Sequence, residues 1–222
     1  TDIMGKKVAD QLVETIRRAG IRRIYAVTGD SLNEVNDAVR RAGTVRWVHM
    51  RHEESGAFAA AAEAELNGIA CCAGSSGPGH VHLINGLYDA HRSNCSVLAI
   101  ASTCPSDQFG TGYFQETSPI RLFDDCSGYN QMAVTPVQFA RMLPAALQPA
   151  LHKREVAVIG PPGDVPACPC AESPGAPGPL PSHGIYRPLD GELRQLAEML
   201  GSAERITVFC GIGAREAHDE VV

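Results

Sequence analysis

The stretch WVHMRHEESGAFAAAAEAELNG, residues 47–68, joins an apolar run to a segment dominated by alanine. The run VRWVHM, residues 45–50, has the β-branched and aromatic residues of a strand. From about Glu53 to Leu66 the frequent alanines predict a helix. Such small side chains allow another backbone, or a flat ligand, to approach closely. The sequence therefore places the Glu53 carboxylate where a buried strand meets a helix that cannot shield it.

The same alternation of strand and helix patterns continues on both sides of this stretch. Further strands are predicted at residues 22–29, 69–76, 95–102 and 155–164. The helices between them begin with one that carries Val8, Leu12, Ile16 and Ala19 on one face and stops at Gly20. Apolar strands separated by helices indicate an α/β fold, a parallel sheet with helices on both faces.

Two of the predicted helices have specific end signals. The segment 31–43 has Ser31 as its predicted N-cap and Gly43 after its end. The segment 134–153 has Thr135 as cap and proline at its first position, whereas its internal prolines, Pro144 and Pro149, are expected to kink or shorten it.

Composition excludes several classes of protein. The 222 residues are 44% hydrophobic and 20% charged with a net charge of -6, which argues against a nucleic-acid surface. The amphipathic start reads as a helix and not as a signal peptide, and no run approaches a membrane span.

Of the eight cysteines, four lie in apolar runs as expected of free thiols: Cys71, Cys72, Cys95 and Cys210. Cys168 and Cys170 have no second pair at zinc spacing, so no metal site is expected, and a cytoplasmic location is the default.

The chain is predicted to contain two domains. Residues 1–160 form the first α/β domain, and residues 161–188, with nine of the fifteen prolines, form a stiff linker. Residues 189–222 read as a helix, a strand, a Gly211–Gly213 turn and a further helix start. One such unit cannot bury a core, so this is the incomplete beginning of a second α/β domain.

Candidate site residues follow the strands, because ligands of open parallel sheets bind beyond the carboxyl ends of the strands. Gly29 permits a tight turn before Asp30, although an acid at a helix start also serves simply as a cap. Glu53 combines burial, which raises a carboxyl pKa, with a helix N-terminus, which lowers it. That competition suits a carboxylate sharing a proton with a ligand, whereas Glu54 has the ordinary interaction with the helix dipole.

Two later segments complete the set. The turn GSSGPGHVHL, residues 74–83, could cradle a phosphate, but it matches neither G-x-G-x-x-G nor a P-loop, and Pro78 lacks an N–H. His80 reads as an ordinary helix-start residue. The loop at residues 103–130 is long for a compact domain and carries Phe114 and Gln115, an apolar wall beside an amide.

Together the motifs VTGDSLN, RHEE, GPGHVHLINGLYDAH and GYFQET resemble those of thiamine-diphosphate-dependent enzymes of the pyruvate oxidase group. They occur in family order from about residue 5 to the end. The resemblance implies a pyrimidine-binding domain and the oxidative decarboxylation of pyruvate to acetate, with FAD passing electrons to a quinone. An acetohydroxyacid synthase, an acetyl-phosphate-forming oxidase and a truncated, non-catalytic dimerising scaffold are the alternatives.

The resemblance also implies roles for individual residues. Glu53 would hydrogen-bond N1′ of the cofactor aminopyrimidine and thereby activate the thiazolium C2. The remaining cofactor-contacting positions would be Gly29, Gly77, Pro78 and Gly79. His82 would face C2 and pyruvate, Asp30 would handle protons, and Phe114 and Gln115 would contact the substrate. His80 replaces a smaller residue and has no assigned effect.

What the chain lacks also matters for the expected activity. The family binds the diphosphate and Mg²⁺ through a G-D-G and a later Asn, but residues 29–31 read G-D-S and residues 163–165 read G-D-V. The 222 residues alone are therefore expected to show no turnover. Mg²⁺, most of the FAD site and any peripheral contact with the inner face of a membrane would belong to other segments. A second subunit would complete the site, in a homodimer or homotetramer.

Overall fold

The structure is a computed structural model and describes residues 5–171, 187–214 and 217–221. The chain divides into two compact units, Thr1–His183 and Gly184–Val222. The described strands all lie in the first unit and are β1 Arg23–Ala26, β2 Arg46–His49, β3 Ala70–Gly74, β4 Val97–Ala101, β5 Tyr129–Met132 and β6 Val156–Gly160. They form one sheet in the order β2-β1-β3-β4-β6-β5, and every pair is parallel.

Helices cover the two faces of this sheet. The helices of the first unit are α1 Val8–Arg18, α2 Asn33–Ala42, α3 Glu53–Asn67, α4 Pro78–Val81, α5 Ile84–Arg92, α6 Pro119–Leu122 and α7 Pro136–Lys153. One buried cluster joins the sheet to α1, α2 and α7, and a second joins it to α3 and α5. The predicted α/β fold is confirmed. No helix in the described residues is both long and apolar enough to cross a membrane.

The end signals of the two helices have different outcomes. Thr135 caps α7 as predicted, with its Oγ1 accepting from the Gln138 N–H at 3.2 Å. The predicted shortening of α7 is wrong, because the helix continues through Pro144 and Pro149. Its buried residues pack on the core, and this burial offsets the hydrogen bonds that the prolines remove.

Ser31 does not cap a helix, so that prediction is wrong. It lies in a 3-10 turn, Asp30–Leu32, ahead of α2, while Gly43 ends α2 with φ 61° as predicted. The Ser31 hydroxyl instead accepts from the Ser76 N–H at 2.9 Å, and so ties the end of β1 to the end of β3. The sequence favoured a capping hydrogen bond from Ser31 to a backbone N–H of its own helix. In the structure, the parallel sheet places the Ser76 N–H, which is distant in sequence, next to the Ser31 hydroxyl.

The long loop predicted at residues 103–130 is interrupted by regular structure. Helix α6 and the first half of the edge strand β5 lie within it, and the sequence analysis missed both. Part of the predicted linker, residues 161–171, packs on the first unit: the Val8 N–H donates to the Cys168 carbonyl at 3.0 Å, and the Cys170 N–H to that of Lys6 at 2.8 Å. Most of the linker lies outside the described residues.

The second unit contains helices α8 Asp190–Gly201 and α9 His218–Val221. The strand predicted near residues 206–210 is not formed, and its apolar side chains are exposed, Phe209 by 98%. A strand needs a neighbour for its hydrogen bonds, and the described part of this unit offers none. Cys210, which lies in that apolar run, is exposed. Cys71, Cys72 and Cys95 are buried as expected, and burial raises the pKa of Cys72 to about 12.

Candidate functional site

The candidate residues from four separate segments meet at one edge of the sheet. Strands β1, β2, β3 and β4 are neighbours or near neighbours and all run in the same direction. Their carboxyl ends lead respectively into Asp30, Glu53, the glycine turn at 75–82 and the loop at 102–118. This arrangement is the one in which an open α/β sheet binds its ligands.

Glu53 is a buried carboxylate at the first position of α3. Its residue is 8% exposed, and its negative charge is favoured there by the helix N-terminus. Oxygen Oε2 lies 3.1 Å from Nδ1 of His82. Oxygen Oε1 faces the glycine turn, and a Cβ built on Gly79 would lie 3.5 Å from it. The carboxylate thus has one oxygen engaged and the other beside a residue without a side chain.

Two histidine rings flank this carboxylate. The His82 side chain is 43% exposed and donates from Nδ1 to Glu53. The ring of His52 stacks on it, with a centroid separation of 4.5 Å and an interplanar angle of 27°. His52 also caps α3, since its Nδ1 accepts from the Glu54 N–H at 3.3 Å. The sequence analysis gave His52 no role, although it directly precedes Glu53.

The glycine turn packs closely on its surroundings. A Cβ on Gly77 would lie 2.7 Å from the Gln115 Cβ, and one on Gly74 would lie 2.5 Å from the His80 Cα. Gly77 also has φ 65°, which favours glycine. Pro78 is the exposed first residue of α4. Gly77 therefore accommodates the long loop, whereas Gly79 is the glycine beside the Glu53 carboxylate.

A second polar group surrounds Asp30. Its Oδ1 accepts from the Ser31 N–H at 2.8 Å and from the Ser75 hydroxyl at 3.2 Å. Gly29 permits this approach, because a Cβ there would lie 2.4 Å from the Ser75 Cβ. Ser75 also lies next to Gly79, since a Cβ built on that glycine would be 3.2 Å from the Ser75 Cβ. The Asp30 and Glu53 groups are thus joined through Ser75 and Gly79.

The long loop presents Phe114 and Gln115 to this edge of the sheet. Phe114 is 78% exposed. Gln115 has φ 64°, an unusual value for a residue with a side chain, and its Oε1 accepts from the Ser76 hydroxyl at 3.2 Å. Glu116 holds the loop in shape by accepting from the N–H groups of Gly110 and Gly112, at 2.6 and 3.1 Å.

His80 links the same loop to the end of β4 through hydrogen bonds to Thr117 and Ser102. Its side chain is fully buried, and burial lowers its pKa, so the ring is neutral. Nδ1 lies 2.7 Å from the Ser102 carbonyl, which only accepts, so this nitrogen carries the proton. Nε2 then accepts from the Thr117 hydroxyl at 2.7 Å. The prediction of an ordinary helix-start residue missed this link between β4 and the loop.

A cleft of about 260 Å³ opens between the Asp30 group and the loop. Its lining includes Asp30, Ser76, Phe114, Gln115 and Asp164. The two carboxylates make it acidic, and the Asp164 oxygens accept from the N–H and hydroxyl of Ser106 at 2.8 and 2.7 Å. A larger cleft of about 700 Å³ lies at the amino ends of β1 and β2, away from the candidate residues.

The structure is an open α/β domain with a buried carboxylate facing a glycine turn at the carboxyl edge of its sheet, which is the edge where such sheets bind ligands. Residues 6–122 match the family described as "Thiamine pyrophosphate enzyme, N-terminal TPP binding domain". The chain belongs to this family of thiamine-pyrophosphate-dependent (thiamine-diphosphate-dependent) enzymes, and the resemblance inferred from its motifs is confirmed.

Named relatives agree with this assignment. The chain is 47% identical to an "Uncharacterized 42.6 kDa protein in isoamylase 3'region" of Pseudomonas amyloderamosa, over 97% of its own length and 55% of the relative. It is 33% identical to the "Putative thiamine pyrophosphate-containing protein YdaP" of Bacillus subtilis, over 99% of the chain and 39% of the relative. Identity to the "Pyruvate oxidase" of Lactiplantibacillus plantarum is 32%, over 95% and 36%. Plant acetolactate synthases match at lower identity. The chain thus spans between about a third and just over half of these relatives.

Proposed function

We propose that the chain is the N-terminal part of a thiamine-diphosphate- and FAD-dependent pyruvate:quinone oxidoreductase, which converts pyruvate to acetate and CO₂. The observation that carries this proposal is the position of Glu53. The residue is 8% exposed, and its carboxylate lies at the carboxyl edge of the sheet and presents one oxygen to Gly79, which has no side chain. An enclosed carboxylate beside a flat opening suits a proton shared with a heteroaromatic nitrogen.

The glycine turn fits a flat ring. A Cβ built on Gly79 would lie 3.5 Å from Glu53 Oε1 and 3.2 Å from the Ser75 Cβ, so a side chain there would occupy the approach to the carboxylate. Gly79, Pro78 and the neighbouring Gly77 would line the aminopyrimidine. The bound cofactor would supply an electron sink for decarboxylation of a 2-oxo acid.

The chain's own residues would orient the reactants and move protons. Glu53 would hold a proton at the carboxyl oxygen that faces Gly79. His82, now bonded to Glu53, is half exposed and can turn toward the substrate. Asp30 would exchange protons through the Ser75 hydroxyl. Phe114 and Gln115 would cover the substrate from the loop that His80 anchors.

Other groups would come from outside these 222 residues. The diphosphate, Mg²⁺ and most of the FAD would be held by other segments of the natural polypeptide. A second subunit would cover α3, which exposes Phe58, Ala62 and Leu66 on one face. Residues at spacings of four share a helix face, so these three form an apolar stripe that begins one turn after Glu53.

The decisive experiment compares Glu53→Gln with Glu54→Gln in the complete natural polypeptide. Pyruvate-dependent reduction of a quinone analogue should fall at least about 100-fold in the first variant, because the amide cannot share a proton in the same way. Glu54 is partly exposed and faces no glycine turn, so its variant should stay near the wild-type rate. Circular dichroism checks that both variants fold, and equal rates for wild type and Glu53→Gln would refute the role.

A second candidate function is that of an acetolactate synthase or an acetyl-phosphate-forming oxidase. It is supported by the relatives that are named as a pyruvate oxidase and as acetolactate synthases. The products separate the candidates, since the proposed enzyme releases acetate and reduces a quinone without oxygen. Formation of acetolactate, or of acetyl phosphate with consumption of oxygen, would move the assignment to that candidate.

A further inference from the structure

Three side chains at the edge of the sheet form a group of metal-binding character. His52, Glu53 and His82 each offer one ligand atom, and these three atoms lie within 4.8 Å of one another. The sequence analysis expected no metal site, because it considered only the cysteine pair. We propose that this group binds a divalent transition-metal cation of the Zn²⁺ type when thiamine diphosphate is absent.

The Glu53–His82 pair already has the spacing of two ligands of one ion. Its oxygen and nitrogen are 3.1 Å apart, and two ligands of a tetrahedral ion with bonds of about 2.0–2.1 Å are separated by roughly 3.3 Å. The proton now on Nδ1 of His82 would move to Nε2 through solvent, which leaves the ring neutral and frees the lone pair for the metal.

His52 would supply the third ligand after a small movement. Its ligand atom lies no more than 4.8 Å from the other two, so it must approach by at most roughly 1.5 Å to reach the ideal ligand separation of about 3.3 Å. The side chain is 47% exposed and rests on His82 by stacking, so a rotation meets little resistance. The competing hydrogen bond from the Glu54 N–H is long, at 3.3 Å.

The donor set selects the type of ion. Two imidazoles and one carboxylate suit Zn²⁺, Co²⁺, Ni²⁺ and Fe²⁺, with the remaining position open to water. Mg²⁺ and Ca²⁺ prefer oxygen donors, so they should not compete. The site is therefore distinct from the Mg²⁺ that the family uses with the cofactor diphosphate.

One consequence rests on the proposed function. A metal held by Glu53 would occupy the carboxylate that the aminopyrimidine needs, so metal and cofactor should exclude each other. Transition metals would then inhibit cofactor activation, and a chelator or excess thiamine diphosphate would reverse the inhibition. The metal site itself depends only on the three side chains.

The binding test uses the protein with its three partly or fully exposed thiols, Cys168, Cys170 and Cys210, changed to Ser, since thiols also bind Zn²⁺. Equilibrium dialysis with Zn²⁺ and with Mg²⁺, followed by metal analysis, gives stoichiometry and affinity. One Zn²⁺ per chain is expected, with no retention of Mg²⁺. In that background, His52→Gln and His82→Gln should each weaken Zn²⁺ binding at least about tenfold.

The matched control is His49→Gln, an exposed histidine of β2 outside the group. It should leave the affinity unchanged. Equal Zn²⁺ affinity in the protein with and without His52→Gln, or a loss as large in His49→Gln, would overturn the proposal.

A kinetic test on the complete polypeptide separates the two proposals. The ratio of the rate with Zn²⁺ to the rate without it should rise toward one in His52→Gln. If the protein with the native His52, Glu53 and His82 binds no Zn²⁺ while its activity still depends on Glu53, only the metal site is overturned. If the protein with the native Glu53 binds Zn²⁺ but the Glu53→Gln variant keeps the wild-type activity, only the cofactor role of Glu53 is overturned.

Discussion

Gly86→Ala should disturb the candidate site from a distance. Gly86 lies in α5 against α3, and a Cβ there would meet the Ala57 Cβ at 2.4 Å and the Phe58 backbone nitrogen at 2.7 Å. Carbon atoms in contact are about 3.5–4.0 Å apart, so the helices must separate by about 1.1–1.6 Å. Glu53 lies one turn before Ala57 on the same helix and must move with it.

Two magnitudes follow from this displacement. Overpacking of this kind costs about 1–3 kcal/mol, which corresponds to a fall in Tm of roughly 3–9 °C for a unit of this size. Misplacement of a catalytic group by about 1 Å can cost about 100-fold in rate. Activity in the complete polypeptide should therefore fall far more than the stability loss explains, since the variant remains folded at 25 °C.

Urea unfolding and the quinone-reduction assay measure the two effects. Gly5→Ala is the control, because a Cβ there would meet nothing within 4 Å. Adding Ala57→Gly removes the nearest atom but not the backbone contact, so the double variant should recover only part of the loss. A Gly86→Ala protein with wild-type stability and wild-type rate would refute the close packing and its link to Glu53.

Two further predictions concern buried polar groups. His80→Gln should flatten the pH dependence of the free energy of unfolding. Burial holds the folded pKa of His80 below its ordinary value of 6.5. The neutral ring therefore contributes its full stability above pH 6.5, and this contribution is lost as the pH falls toward the folded pKa. Thermal unfolding between pH 7.5 and 5 measures this, and parallel curves for variant and wild type would contradict it. Ser31→Ala should lower the free energy of unfolding by about 1–2 kcal/mol, because the Ser76 N–H loses its acceptor; urea unfolding against an exposed control, Ser55→Ala, tests it.

The sequence predicted the layers of the fold better than its local details. Five of the six strands were predicted, and three of them, β3, β4 and β6, are buried at every residue, which gives them a continuous apolar composition. Strands β2 and β5 are the two edges of the sheet and both are only partly buried, but β2 still has aromatic and β-branched residues, whereas Tyr129–Met132 has Asn and Gln at its centre. The Ser31 contact was missed because its partner, Ser76, lies 45 residues away in the sequence.

The sequence predicted that the candidate residues would share one edge of the sheet, but it did not predict the contacts between them. Asp30, Glu53 and Gly79 follow strand ends, so their common edge follows from the parallel topology. The bonds of Glu53 with His82 and of His80 with Thr117 span 29 and 37 residues. Such pairings depend on how turns place side chains, which periodicity does not describe. Their roles toward the cofactor remain proposals.

The small residues of α3 have a structural cause in the packing of this helix. Two backbones approach α3 closely: α5 at Gly86, and β1 at Gly56, where a Cβ would lie 3.2 Å from the Tyr25 carbonyl oxygen. Larger side chains on these faces would push α3 outward and expose Glu53. The small residues therefore allow α3 to pack closely on α5 and β1, and this packing buries the carboxylate in the first turn of the helix without any ligand. The exposed stripe at Phe58 and Leu66 is the face on which this reasoning leaves room for a second subunit.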